Sequence, residues 1–218
     1  MPRSTSAELL DTHGYRDLDE LHENLRDMAR YDRWLGVFDE MLQFARLAEA
    51  RTALDVGVGS GTFIAHARNR APHVAWTALD LSRDVLRISR ECAHDATHVQ
   101  AQAQQLPFAD SSFDVVTCAN TLHHLDERGA VTLLQECARV ARQRVVILDL
   151  ARGWLTHAGA VLLTHLTSRN RLTRADGVHS AQRAYTADEA RALVQTAGLT
   201  GATIQQRTPF RFVIRVET

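Results

Sequence analysis

Asp55, Gly57, Gly59 and Gly61 stand at alternate positions in the stretch LDVGVGSGTF, residues 54–63. Glycines behind an acid let a backbone approach a nucleotide-like ligand closely, because they lack Cβ and tolerate positive φ. Register decides which ligand. A P-loop for a triphosphate requires Gly-x-x-x-x-Gly-Lys-Ser/Thr, and no lysine follows this loop. A dinucleotide fingerprint counted from Gly57 places Thr62 where glycine or alanine is needed, and Gly61 arrives one residue early. A tight strand-to-helix turn without a ligand is the plain structural alternative. A second acid, Asp80, ends TALD (77–80) and can accept two ribose hydroxyls or sit at a helix start near Ser82. A dehydrogenase would use an acid there too, so Asp80 alone does not discriminate. His123 and His124 follow the apolar run FDVVTCA (113–119). Imidazoles titrate near neutrality and can take a proton from an acceptor, or they can pack behind the strand.

These groups need a scaffold, and the surrounding pattern supplies one. Residues 17–48 read as helix broken at Gly36, with Leu18, Leu21, Leu25 and Met28, then Phe38, Met41, Leu42 and Ala45 at helical spacing. After them, strands alternate with helices: TALDVG, GTFIAHARNR, HVAWTALD, SRDVLRISRECA, THVQAQ, FDVVTCA, ERGAVTLLQECARVA and RVVILDLA. That order predicts a mostly parallel sheet covered on both faces. Residues 152–185 interrupt it with an expected amphipathic helix, WLTHAGAVLLTHLTS, and a polar connector, RNRLTRADGVHSAQRAY. TADEARALVQTAGL is a helix whose Thr186 and Glu189 have capping-box spacing. ATIQQRTPFRFVIRVE reads as two antiparallel strands around a Thr-Pro turn. The expected division is an N-terminal helical lid segment over 1–50 and a main domain over 51–218, with a small helical lid inserted at about 152–185.

The complete pattern Asp55-x-Gly57-x-Gly59-x-Gly61 resembles motif I of class I S-adenosylmethionine-dependent methyltransferases. AQAQQLPFADSSFDVVTCANTLHHL (101–125) resembles the same family's post-II and IV region through Leu106-Pro107-Phe108, Ser112-Phe113-Asp114-Val115-Val116 and His124. The resemblance covers roughly residues 50–150, and the C-terminal hairpin extends it. It implies a Rossmann-like α/β fold: a seven-stranded, mostly parallel sheet with a C-terminal antiparallel hairpin. It implies S-adenosyl-L-methionine as cofactor, which carries an ammonium and a sulfonium but no phosphate. Asp55 would face the ammonium side, directly or through water. Asp80 would hold the ribose, Leu81 would cover one adenine face, and Ala103 would offer a backbone N–H to the ring edge. Gln102 stands where the family usually has an acid that accepts from the adenine amino group, and its amide oxygen can accept as well. Val58, Gln104, Ala119 and Asn120 complete the implied cofactor set, with Tyr31 approaching from the N-terminal helix.

The bulk numbers restrict the partners. Twenty-five basic and 26 acidic residues leave a net charge of −1, which disfavours nucleic acid. Cys92, Cys118 and Cys137 are widely spaced and read as reduced core thiols. The first residues show no apolar signal region, and AGAVLLTHL is short for a bilayer span, so a cytoplasmic location without a membrane is expected. His94 and His98 straddle a helix end, and no metal site is expected. The reading is methyl transfer to a small-molecule acceptor, with His123 or His124 as general base. SRNRLTRADGVHSAQRAYTADEARALVQTAGL resembles bacterial methyltransferases of aromatic or polyketide metabolites. This favours a phenolic or polyketide-type oxygen in secondary metabolism, with carbon methylation as the alternative. An NAD-dependent oxidoreductase is opposed by Thr62 and the 113–124 block; a non-catalytic cofactor-binding protein is suggested only by Gln102. Tyr15, Trp34, His179 and Tyr185 are candidate pocket-lining groups. Arg169, Arg171 and Arg174 read as a solvated basic loop or a contact for an acidic group, and the lid helix as an acceptor cover or homodimer contact.

Overall fold

The computed structural model describes residues 1–207 and 210–218. Its seven strands are β1 (Thr52–Val56), β2 (Ala75–Asp80), β3 (Thr97–Gln100), β4 (Phe113–Ala119), β5 (Ala141–Leu150), β6 (Ala202–Arg207) and β7 (Arg211–Glu217). They lie in the order β3-β2-β1-β4-β5-β7-β6. The first five are parallel, and β7 runs antiparallel between β5 and β6. The expected sheet and hairpin are therefore present. The Thr-Pro turn expected between β6 and β7 lies outside the described residues.

Period-two alternation along the apolar strands sends neighbours to opposite faces. Leu54, Leu79, Val116 and Ile147 face one core layer, covered by α5 (Glu127–Val140) and α8 (Ala187–Thr196) through Leu133, Leu134 and Leu193. Ala53, Ala78, Val115 and Val146 face the other, covered by α2 (Val37–Ala45) and α3 (Thr62–Arg68) through Phe38, Met41, Phe63 and Ile64. Each fully buried Leu, Ile or Met contributes about 1.5–3 kcal/mol of apolar transfer free energy. The helix punctuation follows the sequence: α1 (Leu18–Trp34) and α2 are separated at Gly36. Ser82 caps α4 (Arg83–Cys92) by accepting from the Val85 N–H, and Thr186 and Glu189 form the full capping box of α8.

Four expectations need correction. The connector over 169–185 is mostly α7 (Arg171–Arg183), capped by Asn170, whose side chain accepts from the Thr173 N–H. Its inner face escaped a hydropathy reading because it is polar. Asp27 of α1 accepts from Ser168 and Thr173, and Asn24 donates to Thr173 Oγ1 at 3.2 Å. The basic cluster is consequently not a solvated loop: Arg171 pairs with Glu20, and Arg174 donates to the carbonyls of Ser168 and His165. Helix α6 (Trp154–Thr167) is apolar on the wrong side for simple amphipathicity. It buries Thr156 and Thr164 and leaves Trp154, Leu155, Leu162 and Leu166 exposed. Cys92 is exposed, unlike the buried Cys118 and Cys137.

Residues 1–17 form no helix or strand; they run as a strap over the carboxyl edge of the sheet. Arg3 donates to the carbonyls of Arg183, His123 and Leu125, and the Leu9 and Leu10 N–H groups both donate to Asp176 at 2.9 Å. Tyr15 donates to Asp84 of α4 at the other end.

Candidate active site

Strands β1, β2 and β4 all point their carboxyl ends at one edge, where ligands bind in open α/β sheets. Asp55 lies on β1 with 4% exposure and accepts a 2.7 Å hydrogen bond from Thr117 Oγ1 of β4. Burial pushes its carboxyl up to about 7, against the Thr117 hydrogen bond. The turn after β1 is closed by the Gly57 and Val58 N–H groups, which donate to Leu79 O at 2.9 and 3.0 Å. These two positions therefore shape the turn rather than offer amides to a ligand. Gly57, Gly59 and Gly61 all take positive φ, and a Cβ on Gly59 would meet open space.

Asp80 ends β2 and accepts from the Ser82 N–H at 2.9 Å. Burial raises it to about 6, opposed by backbone N–H groups including those of Ser82 and Gly59. Leu81 is exposed, and its carbonyl accepts from Gln100 Nε2 at 3.0 Å. Gln102 is exposed beyond β3, while Ala103 and Gln104 are half-buried. Ala119 and Asn120 follow β4, both half-buried. Asn120 takes positive φ, donates through Nδ2 to Asp32 at 3.0 Å, and leaves Oδ1 buried without a hydrogen-bond partner. Tyr31 is buried, with its hydroxyl 2.8 Å from Thr167 Oγ1, so it ties α1 to the end of α6.

Asp32 was not singled out from the sequence. Burial raises it to about 6, and Asn120 and Arg211 act against that. The only sequence signal was an acid next to Tyr31 on the helix that precedes the loop.

The residues present fit S-adenosylmethionine. Asp55 and Asp80 are two desolvated carboxylates at one sheet edge, and neither forms an ion pair with Lys or Arg among the described residues. A cation and ribose hydroxyls are what such groups lack. The orphaned Asn120 Oδ1 calls for a donor, and the space beside Gly59 is open.

Beside this edge, a 3-10 turn over Leu122–His124 places the two histidines. Asp149, near the end of β5, accepts from the Leu122 N–H at 2.8 Å and from His123 Nδ1 at 2.7 Å. An ionised carboxylate only accepts, so Nδ1 donates to Asp149 and Nε2 is the ring nitrogen that this bond leaves free. That nitrogen lies 3.7 Å from Glu8 Oε1 of the strap, and His123 is 2% exposed. His124 is half-buried, with Nδ1 2.8 Å from Asp11 Oδ1 and its ring stacked 4.3 Å from that of His123. Glu8, Asp11, Asp149 and Arg183 escaped the sequence reading; Asp149 had a signal, as the one acid inside VVILDL.

Glu8, His123 and His124 bring ligating atoms within 4.8 Å of one another. The rings are tilted by only 32°, so their in-plane lone pairs do not converge on a common point. The Arg183 guanidinium, 3.7 Å from Glu8 Oε1, already places positive charge there. The arrangement suits proton exchange better than metal ligation. Tyr185 and His179 hold the strap rather than line a pocket: Tyr185 stacks under Arg3 and donates to Leu125 O, and His179 meets Ser4 at 3.1 Å. Trp34 is exposed.

A Rossmann-like, mostly parallel seven-stranded sheet with an antiparallel final hairpin, and with a glycine loop and a second acid at its carboxyl edge, is the fold of class I S-adenosylmethionine-dependent methyltransferases. Residues 53–144 match the family model described as a methyltransferase domain. The chain is 36% identical over 99 residues to the demethylmenaquinone methyltransferase of Thermotoga maritima, covering 44% of this chain and 42% of that protein. It is 37% identical over 78 residues to the malonyl-[acyl-carrier protein] O-methyltransferase of Erwinia billingiae, covering 35% and 30%. The chain thus spans less than half the length of these two curated relatives. Human N-acetylserotonin methyltransferase in complex with SAM shares the fold at a TM-score of 0.69 and 16% identity, over 98% of this chain and 60% of that one. A SAM-dependent methyltransferase from Aquifex aeolicus does so at 0.61 and 18%, over 83% and 88%.

Proposed function

We propose that this chain transfers the methyl group of S-adenosylmethionine to a small-molecule acceptor, at the oxygen of a phenolic or polyketide-type metabolite. Bound at the sheet edge, the cofactor supplies a methyl group made electrophilic by the adjacent sulfonium. Asp55, Gly57, Val58, Gly59 and Gly61 form its methionine side, and Asp80 and Leu81 its ribose and adenine side. Gln102, Ala103 and Gln104 meet the adenine edge, while Ala119, Asn120 and Tyr31 close the site. The observation that carries an oxygen acceptor is the Asp149–His123 pair. Asp149 fixes the tautomer and orientation, leaving Nε2 to take a hydroxyl proton. His124, held by Asp11, is the second candidate base. Carbon methylation of a similar acceptor is the second reading, supported by the relatives named for demethylmenaquinone.

The strap, α1, α2 and the 152–185 insertion act as the lid over the acceptor. The exposed α6 face with Trp154 and Leu162 is where a homodimer would form. No described helix is long and apolar enough to cross a membrane, and we read the enzyme as cytoplasmic and part of secondary metabolism. The test is a thermal-shift comparison followed by transfer to a panel of phenols and polyketides, read by product mass. Stabilisation by S-adenosylhomocysteine and a gain of one methyl group on a hydroxyl are expected. Stabilisation by NAD(H) alone would overturn the assignment of the site.

A further inference from the structure

Asp32 and Asn120 meet at the end of β4 with an acceptor oxygen that the chain leaves unused. Asn120 Nδ2 donates to Asp32 Oδ1 at 3.0 Å, which turns the amide so that its own Oδ1 is buried without a hydrogen-bond partner. An unsatisfied buried acceptor is costly. Asn120 also holds a left-handed backbone at φ 51°, a conformation that clusters at ligand sites when the residue is not glycine. Asp32 is half-buried and forms no ion pair among the described residues. Arg211 is the cation whose charge reaches it, but Arg211 Nη2 is directed at the Leu35 carbonyl and Glu40 Oε2. On α1 itself, Arg30 pairs with Asp27. Asp149 adds negative charge from β5, so the surroundings favour a cation, and burial holds the Asp32 carboxyl up at about 6.

The pair stands against the glycine loop. A Cβ on Gly57 would run into Thr121, the residue after Asn120. Asp80 lies on the other side, at the end of β2, because β1 separates β2 from β4 in the sheet. Asp32 and Asn120 therefore flank the end of the loop opposite the acid proposed for the ribose. Asp55 is set deeper: it is 4% exposed within β1 and already accepts from Thr117 Oγ1. Asp32 is carried on a helix that is tied down beside it. Asp27 accepts from Ser168 and Thr173, and the Tyr31 hydroxyl meets Thr167. A carboxylate held in place in this way loses little freedom when a cation arrives.

We propose that Asp32 and Asn120 together receive the α-ammonium of the cofactor's methionine arm, Asp32 through its carboxylate and Asn120 through Oδ1. This rests on the reading above that S-adenosylmethionine binds at this sheet edge. It adds a binding group from outside the glycine loop, makes α1 part of the cofactor site and puts Asp55 behind the direct contact. An ammonium carries three N–H donors, enough for both oxygens.

Calorimetry on the full chain tests this without methyl transfer. Two ligands are compared: S-adenosylhomocysteine, which keeps the α-ammonium, and its analogue with hydrogen in that place. Wild type should bind the analogue about 10- to 100-fold more weakly, the loss expected for a hydrogen bond to a charged group. Asp32→Asn should bind S-adenosylhomocysteine about 10-fold or more below wild type, and the analogue within about twofold of it. Equal losses for the two ligands, or no loss for either, would overturn the proposal. Should Asp32→Asn not fold, Asn120→Gly carries the comparison, since glycine accepts the positive φ. It should weaken S-adenosylhomocysteine about threefold or more and spare the analogue, and equal effects on both would overturn the proposal. Failure of wild type to bind S-adenosylhomocysteine at all would instead overturn the placement of the cofactor, and this proposal with it.

Discussion

Two glycines of one loop should respond to the same substitution in different ways. Gly57 and Gly59 both take positive φ, at 76° and 53°. Alanine in that region costs about 1–2 kcal/mol from the backbone alone. At Gly57 the added Cβ would also run into Thr121 Oγ1, with Thr121 Cβ and Cγ2 each at 3.2 Å. Overpacking of that kind adds about 1–3 kcal/mol. At Gly59 nothing lies within 4 Å, so no packing cost is added. For a chain of this size, about 2–4 °C of Tm is lost per kcal/mol. Gly57→Ala should therefore lower the apo Tm by roughly 4–20 °C, and Gly59→Ala by roughly 2–8 °C. The order reverses for S-adenosylhomocysteine affinity measured by calorimetry well below both midpoints. In the proposed site a Cβ on Gly59 would enter the space given to the cofactor and should weaken binding about 10- to 100-fold, equivalent to about 1.4–2.8 kcal/mol. Gly57→Ala should weaken it less. Adding Thr121→Ala to Gly57→Ala should restore the packing part of the loss but not the backbone part, a coupling of about 1–3 kcal/mol. Wild-type affinity in Gly59→Ala, or no rescue by Thr121→Ala, would refute this account of the loop.

Further outcomes follow from the same geometry. The apo protein should lose stability as pH rises from about 5 to 7.5, because burial raises Asp80 and Asp32 to about 6 and Asp55 to about 7. The folded state then holds protons that the unfolded chain has released, so the slope of stability with pH is negative through that window. Tm against pH should show it, and Asp55→Asn should flatten it. Asp149→Asn should reduce the transfer rate about 100-fold with little change in acceptor KM, since His123 loses its fixed tautomer. An unchanged kcat would remove His123 as the base. Asp27→Ala should cost about 2–4 kcal/mol in a urea melt, because Ser168, Thr173 and Arg30 all lose their buried partner. Thr186→Ala should cost about 1 kcal/mol through loss of the capping box, checked by the same melt.

The sheet was legible because its strands are short apolar runs separated by turn and cap residues, and periodicity survives in such runs. VVILDL and FDVVTCA read as strands because they are short, near-continuous apolar runs. The loop was legible because the glycine register is a local constraint on φ. What was not legible depends on long-range polar contacts. Helix α7 has no apolar stripe to read, since Thr173, Asp176 and Arg183 face inward to partners in α1 and the strap. Those partners lie about 150 residues or more away in sequence, a separation over which hydropathy patterning carries no information. The strap itself has no periodicity, so nothing local indicated that Glu8 would be among the most buried acids in the molecule.

The distribution of carboxylates gives the site a physical meaning beyond its motifs. Away from the carboxyl edge, several acids are paired. Arg139 holds Glu136 below its usual range, and Arg144 does the same for Glu217. Asp114 stays low despite burial because Arg51, Thr52 and Arg142 all donate to it. At the carboxyl edge the same fold leaves Asp55, Asp80, Asp32 and Glu8 raised, each chiefly by burial, although it has 25 basic residues to draw on. Placing an arginine beside Asp55 or Asp80 would stabilise the apo protein and would occupy the position that a cationic cofactor needs. Burial without such a partner disfavours the charged forms of these acids, and a cation bound beside Asp55 or Asp80 would stabilise the sheet edge by relieving it.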